Sequence, residues 1–426
     1  MTSRFYLLVS ISFTLLLAGV ALRLSGLVVL VIPLLVYLGS AVLHRPGIPR
    51  LEANRSLDRA KVLPQTPVEI TLVVANSGET LEELDIQAPL PHGLLLSDGK
   101  SQKTTSLLHG EEIQLSAVLS GPRGEYLFGE IFAHSAETFG LFEEKSSFPA
   151  GTSLVIHPTP LRLKPLPIRP PQTRGFAGPI PSRQGGTGVD FFLVREYQPG
   201  DSQRQINWKV SARAKNDLYT TIYEQQRIAD VGIILDSRLQ CEVQRGEESL
   251  FEHSVRAAGA LAEIFIQDGN RVGLLVYGAA LQIAFPGMGK LQRERILQVL
   301  ARADTGFSYA LEKLDFLPTR FFPARSQIVL VSPLIADDVP VLGFLRARGY
   351  AVLVVSPNPV RFEAPPTPAT ATEELAMRCA QAERELMHNS LRRAGVQVVD
   401  WDVSQPLETL VRTALAISSH MGAAVQ

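Results

Sequence analysis

The chain has 426 residues, enough for two or three domains with cores of their own. Its 41 Lys and Arg against 42 Asp and Glu leave a net charge of −1, which excludes a general attraction for nucleic acid. The two cysteines, Cys241 and Cys379, are far apart with no CxxC or Cys/His spacing, so neither a disulfide framework nor a zinc site is expected and a reducing compartment fits.

Two apolar runs open the chain, Phe5 to Leu22 and Leu27 to Leu43, joined by Arg23-Leu24-Ser25-Gly26. Each is about as long as a bilayer-spanning helix must be, and the short joint makes them a hairpin over residues 1–50. Arg4, Arg45, Arg50 and Arg55 flank the outer ends while Arg23 alone sits in the joint. The positive-inside rule then puts both ends in the cytoplasm. A cleaved signal peptide ending near Ala21 is the alternative.

Residues 51–157 carry short period-two runs at Val68–Ala75, Leu84–Ala88, Ile113–Leu119, Tyr126–Ala133 and Ser153–His157, separated by turn residues such as Asn76-Ser77-Gly78. That rhythm predicts a small antiparallel β-sandwich, immunoglobulin-like in size. His92, His109 and His134 fall here without ligand spacing and are read as strand or surface residues. Between Pro158 and Pro181 eight prolines exclude helix, so 158–227 begins with an extended connector. Arg162, Lys164, Arg169, Arg174 and Arg183 make it either a docking strip for an acidic partner or a strap over the neighbouring domains.

The connector ends in Gly186 to Arg213, which gathers three acids, Asp190, Glu196 and Asp201, with Arg195, Arg204, Lys209, Arg213, Tyr197 and Trp208 around one turn. Gln198-Pro199-Gly200-Asp201 has Pro where φ near −65° is wanted and Gly where φ is positive, a type II turn. Arg195 and Tyr197 are placed on one extended arm, and Arg204, Ile206 and Trp208 on the other. Two readings stand. In one, Arg195, Asp201 and Arg204 form an ion-pair lattice with Trp208 buried; in the other, the face stays open and binds a partner through residue types common in hot spots.

From 228 to 426 strands alternate with helices. Val231–Leu235, Val272–Val276, Ile328–Val331, Ala351–Val355 and Val396–Asp400 read as buried strands. Phe251, Val255, Ala258, Leu261, Ala262 and Phe265 form one helical stripe, and further helices are predicted near Lys290–Ala303, Val339–Arg348, Thr372–Arg393 and Pro406–Ile417. This is a doubly wound α/β pattern. Gly287-Met288-Gly289-Lys290 lacks the Gly and hydroxyl of a phosphate loop and reads as a strand-to-helix turn; HExxH and GxSxG do not occur.

Gly186, Gly188, Asp190, Phe191, Arg195, Tyr197, Gly200, Asp201, Arg204, Ile206, Trp208, Ala212 and Arg213 together resemble the signature of the bacterial domain-of-unknown-function family numbered fifty-eight. Glu is usual there at Asp190, and an acid at Asn207. Arg123-Gly124-Glu125-Tyr126 and Thr138-Phe139-Gly140-Leu141-Phe142 are similar to further elements of that family. Its members often sit beside MoxR-type AAA+ ATPases, so the resemblance implies such a partner at the envelope, with Asp190, Arg195, Tyr197, Asp201, Arg204, Trp208 and Arg213 as the interaction hub.

The α/β region resembles the von Willebrand factor A domain, which implies a divalent-cation site built from DxSxS, a distant Thr and a distant Asp. Here those places hold Asp236, Arg238, Gln240, Thr305 and Ser332, a degenerate set in which Arg238 is expected to pair with Asp236 and fill the position of the metal. No metal, cofactor or small-molecule substrate is expected. The protein is read as a membrane-anchored adaptor and not as an enzyme, with an envelope hydrolase working through the signature acids, or a plain scaffold, as alternatives.

Overall fold

The computed structural model describes residues 2–43, 48–136, 141–159, 161, 163–164, 180–214, 217–318, 321–364 and 370–413; at 180–190, 192, 224–227 and 316 it describes the backbone alone. The chain forms two compact units, Met1–His157 and Pro158–Gln426.

In the first unit, helices Ser3–Ala21 and Ser25–Leu43 are 19 residues each and apolar enough to cross a membrane by length and composition. At 1.5 Å per residue each is roughly 28 Å long, close to the thickness of a hydrocarbon core. They pack closely on one another: a side chain at Gly19 would come within 2.9 Å of Val28. Their outer surfaces present Tyr6, Phe13, Val20, Ile32 and Val36 unburied, which water would penalise and lipid would not.

The sandwich follows. One sheet runs in the order Leu51–Leu57, Val68–Asn76, Glu112–Ser120, Leu95–Gly99, a second Glu143–Phe148, Ile131–Ala136, Leu81–Gln87, Gln102–Leu107, and a third Lys61–Val62, Thr152–Ile156, Gly124–Phe128. Val68–Asn76 buries alternate residues, as a strand with one face on a core must. Leu72, Val74 and Leu115 of the first sheet meet Leu84, Ile86 and Ile131 of the second. Val68 and Leu119 meet Phe128, Leu154 and Ile156 of the third. The single run predicted over Tyr126–Ala133 is corrected: Gly129-Glu130 breaks it into two strands that join different sheets. His134 lies on one of these and approaches Glu143 at 3.2 Å. The Thr138–Gly140 part of the family element, and most of the proline-rich connector, lie outside the described residues.

In the second unit, Ile180–Glu196 pairs antiparallel with Tyr219–Arg227, its register broken between Pro181 and Leu193. The main sheet has the order Gln282–Gly287, Arg271–Gly278, Asp230–Ser237, Gln327–Val331, Ala351–Pro357, Gln397–Trp401, parallel except for the Gln282–Gly287 edge. Asp230–Ser237 is buried at all eight positions, as the centre of a sheet covered on both faces requires. Val231, Ile233 and Leu235 face helices Leu250–Gln267 and Gly289–Arg302. Ile234 faces the side covered by Asp338–Ala347 and Ala371–Arg393. At Gly232 a Cβ would sit 2.6 Å from the Phe322 ring, so only glycine lets that ring close over the strand. Gly287–Lys290 is the expected turn from the edge strand into a helix.

Candidate functional site

Strands of a parallel sheet end together, and the loops beyond their carboxyl ends are where such folds gather polar groups. Asp236 is the last residue but one of the central strand, and Arg238 turns back onto it. The Arg238 Nε donates to Asp236 Oδ1 at 2.9 Å and Nη2 to Asp236 Oδ2 at 2.7 Å. The same guanidinium reaches Asp338, the first residue of the helix Asp338–Ala347, with Nη1 to Oδ1 at 3.0 Å and Nη2 to Oδ2 at 2.8 Å. Nη1 also donates to the Glu312 carbonyl at 3.2 Å. All five N–H donors of the fork have acceptors. Ser332 Oγ donates to Asp236 Oδ2 at 2.6 Å, and the Cys241 thiol donates to the same oxygen at 3.1 Å.

Asp236, Arg238, Ser332 and Asp338 are each 2% exposed or less. Burial works against the charge of Arg238, but the hydrogen bonds and charge of Asp236, with those of Asp338, outweigh it and raise the guanidinium further above its ordinary range. Burial pushes the Asp338 carboxyl up, against the pull of Arg238. Burial and the Asp236 charge push the Cys241 thiol up, which keeps it protonated and inert as a nucleophile.

Of the five places named for a cation site, the fold brings Asp236, Arg238 and Ser332 together. Gln240 instead donates to the Glu312 carbonyl at 2.7 Å, and Thr305 makes no hydrogen bond to this cluster among the described residues. Asp338 escaped the sequence reading. Its only signal was an Asp-Asp pair opening a helix soon after Ser332. Beside the cluster lies a cavity of about 230 Å³ lined by Arg238, Leu239, Gly278, Gly306, Phe307 and Leu311. Phe307 and Tyr309 stand at 54% and 88% exposure, edge to face at 4.6 Å. A second buried guanidinium, Arg384, braces the neighbouring loop by donating to the Pro333 carbonyl at 2.7 Å, Ser356 Oγ at 2.8 Å and Asp400 at 2.9 Å.

The signature folds differently from the two extended arms expected of it. Gly200 has φ of +112° and Asp201 N–H closes onto the Gln198 carbonyl at 3.0 Å, the predicted turn. Arg195 Nη2 donates to Asp201 Oδ1 at 2.7 Å, Gln198 N–H to Oδ2 at 2.9 Å, and the Tyr197 hydroxyl to the Asp201 carbonyl at 3.2 Å. The Gln198 N–H, then Arg195, hold the Asp201 carboxyl below its usual range. Past the turn, however, the chain forms helical turns at Gln203–Gln205 and Trp208–Ser211, and the strand facing Glu196 is Tyr219–Arg227.

Asn207 explains the turn into Trp208. Its Oδ1 accepts the Val210 N–H at 3.1 Å while its Nδ2 donates to Thr221 Oγ1 at 3.1 Å, and a carboxylate could supply the first bond but no donor for the second. Trp208 is 67% exposed, which corrects the reading that buried it, and Arg204 and Arg213 are exposed as well. The side chain of Asp190 lies outside the described residues.

Residues 193–358 match the family model described as protein of unknown function DUF58. The uncharacterized protein YeaD of Bacillus subtilis (strain 168) is 25% identical over 316 residues, 72% of this chain and 76% of that one. Among solved structures, the CARDB domain of the PF1109 protein from Pyrococcus furiosus is 16% identical, covering 24% of this chain and 94% of its own, with a TM-score of 0.17. The cupredoxin domain of amoB from Nitrosocaldus yellowstonii is 12% identical, covering 30% and 99%, with a TM-score of 0.20. Likenesses that slight carry no argument about this chain. The family match takes in the signature from Arg195 to Arg213 and the sheet through the strand Ala351–Pro357, and over these residues the chain is similar to the DUF58 family.

Proposed function

We propose that this protein is a membrane-anchored adaptor whose two helices form a hairpin in the bacterial inner membrane and whose soluble units face the cytoplasm. Its partner class is a MoxR-type AAA+ ATPase, and its role is assembly or remodelling of a complex at the envelope. The orientation rests on Arg4, Arg45, Arg50 and Arg55 against the single Arg23. The partner class rests on the family resemblance.

One observation carries the adaptor reading: the Arg238 guanidinium is saturated between Asp236 and Asp338. In a von Willebrand factor A-like fold this is the cation position, and here a side chain fills it. The carboxyl edge is then a protein-docking surface with an apolar cavity and Phe307 and Tyr309 at its rim, not a metal centre. In this reading the chain is not an enzyme. Asp201, pinned by Arg195 and Gln198, is unsuited to general acid or base work at neutral pH. Exposed Trp208, with Arg204 and Arg213, supplies the residue types that dominate binding hot spots.

The test is capture of the ATPase by the full chain in detergent-solubilised membranes, with nucleotide present. Arg204→Ala with Trp208→Ala is expected to weaken capture about thirtyfold, the scale of one hot spot. Undiminished capture by the folded variant would remove the signature from this role.

A further inference from the structure

The helix Ala371–Arg393 turns one stripe inward and another outward. Arg384, His388 and Leu391 are buried, and Met387 packs against the core of the sheet's second face. On the opposite side Leu375, Cys379, Ala382 and Leu386 all face solvent, with Leu375 58% and Leu386 68% exposed. Their spacing of four, three and four residues is the seam of a two-stranded coiled coil. A helix already anchored by its inner stripe gains nothing from such a seam unless another helix covers it.

We propose that the occupant is the same helix of a second copy of this chain, lying antiparallel. A two-fold axis between Ala380 and Gln381 sets Leu375 over the partner's Leu386 and Cys379 over the partner's Ala382. Arg378, flanking the seam, then lies beside the partner's Glu385, and the pair occurs twice by symmetry. The ends agree with this direction. Glu373 and Glu374 sit in the first turn and Arg392 and Arg393 in the last. Antiparallel helices bring opposite charges and opposite dipole ends together, where parallel ones bring like to like. Two heptads are a short interface, and confinement of both copies to one membrane raises their effective concentration enough for it to hold. This inference rests on the membrane anchoring of the proposed function but not on its ATPase partner, and fails or survives without that partner.

Cys379 provides the probe, since Cys241 is buried. Full-length protein in membranes, treated with a short bis-maleimide, is expected to give a band of twice the chain mass that disappears in Cys379→Ser. Leu375→Glu with Leu386→Glu sets four carboxylates into the seam and is expected to reduce that band about tenfold or more, while circular dichroism shows the fold intact. Leu375→Lys with Leu386→Glu pairs opposite charges only in the antiparallel arrangement and is expected to restore it. Absence of the band in the native chain, a band indifferent to the glutamates, Cys379 linked to another protein instead, or no restoration by the charge pair overturns the proposal.

Discussion

Arg238 and Asp338 stand one hundred residues apart in sequence, and Arg238 Nη2 donates to Asp338 Oδ2 at 2.8 Å beneath the surface of the sheet's carboxyl edge. The bond ties the loop after the central strand to the helix after the next strand. Asp236 holds the other side of the same guanidinium.

Breaking one partner of a buried ion pair strands the rest. Asp338→Ala and Arg238→Ser are each expected to destabilise the α/β unit by about 3–5 kcal/mol, read as a drop in its thermal transition. A loss near that of a surface pair, under about 1 kcal/mol, would mean the guanidinium is not held as described.

Arg238→Ser also leaves Asp236, Asp338 and the Ser332 hydroxyl around a space that a cation can fill. Calorimetry is expected to show Mn²⁺ binding by this variant and a recovery of its thermal transition, reversed by EDTA. The native chain is expected to show neither. Equal binding by the native chain would sink the view that Arg238 fills the cation position.

His388 is 2% exposed, its Nε2 without a hydrogen-bond partner among the described residues. Burial first, then the charge of Arg384 and of Arg392 against that of Asp400, pushes its pKa down from 6.5 to about 4. Above the unfolded value both states are neutral and nothing is gained or lost. As pH falls from 6.5 toward 4 the unfolded chain takes up a proton that the folded one refuses, and on the order of 3 kcal/mol of stability is lost. His388→Leu is expected to flatten that part of the stability profile in urea titrations at pH 7 and pH 4.5. An unchanged slope would show that His388 titrates normally.

Asp201 works in the other direction. Its lowered carboxyl pKa means that its support of the turn is present above the ordinary carboxylate range and fades as pH falls through the folded value. Asp201→Ala is expected to remove hydrogen-exchange protection from the Gln198 amide at neutral pH, while leaving protection in the main sheet unaltered. A Gln198 amide protected equally in both proteins would contradict this account.

The sheet was legible because Val231–Leu235 and its companions are continuous apolar runs, which water drives inside whatever their neighbours. The polar strands Leu95–Gly99 and Gln102–Leu107 were not, since pairing and not side-chain burial makes them strands. Arg238 and Asp236, two residues apart, announced their pairing. Asp338 could not, because only the fold brings position 338 to position 238. Around Trp208 local pattern misled: alternation suggested an extended arm, but the Asn207 amide caps a helical turn and leaves the indole in solvent.

A counter-ion carried on the chain has no dissociation constant. The carboxyl edge built on Arg238 therefore keeps one shape through starvation for magnesium, influx of manganese or exposure to chelators, and the partner proposed to dock there would meet a surface already set by the chain itself.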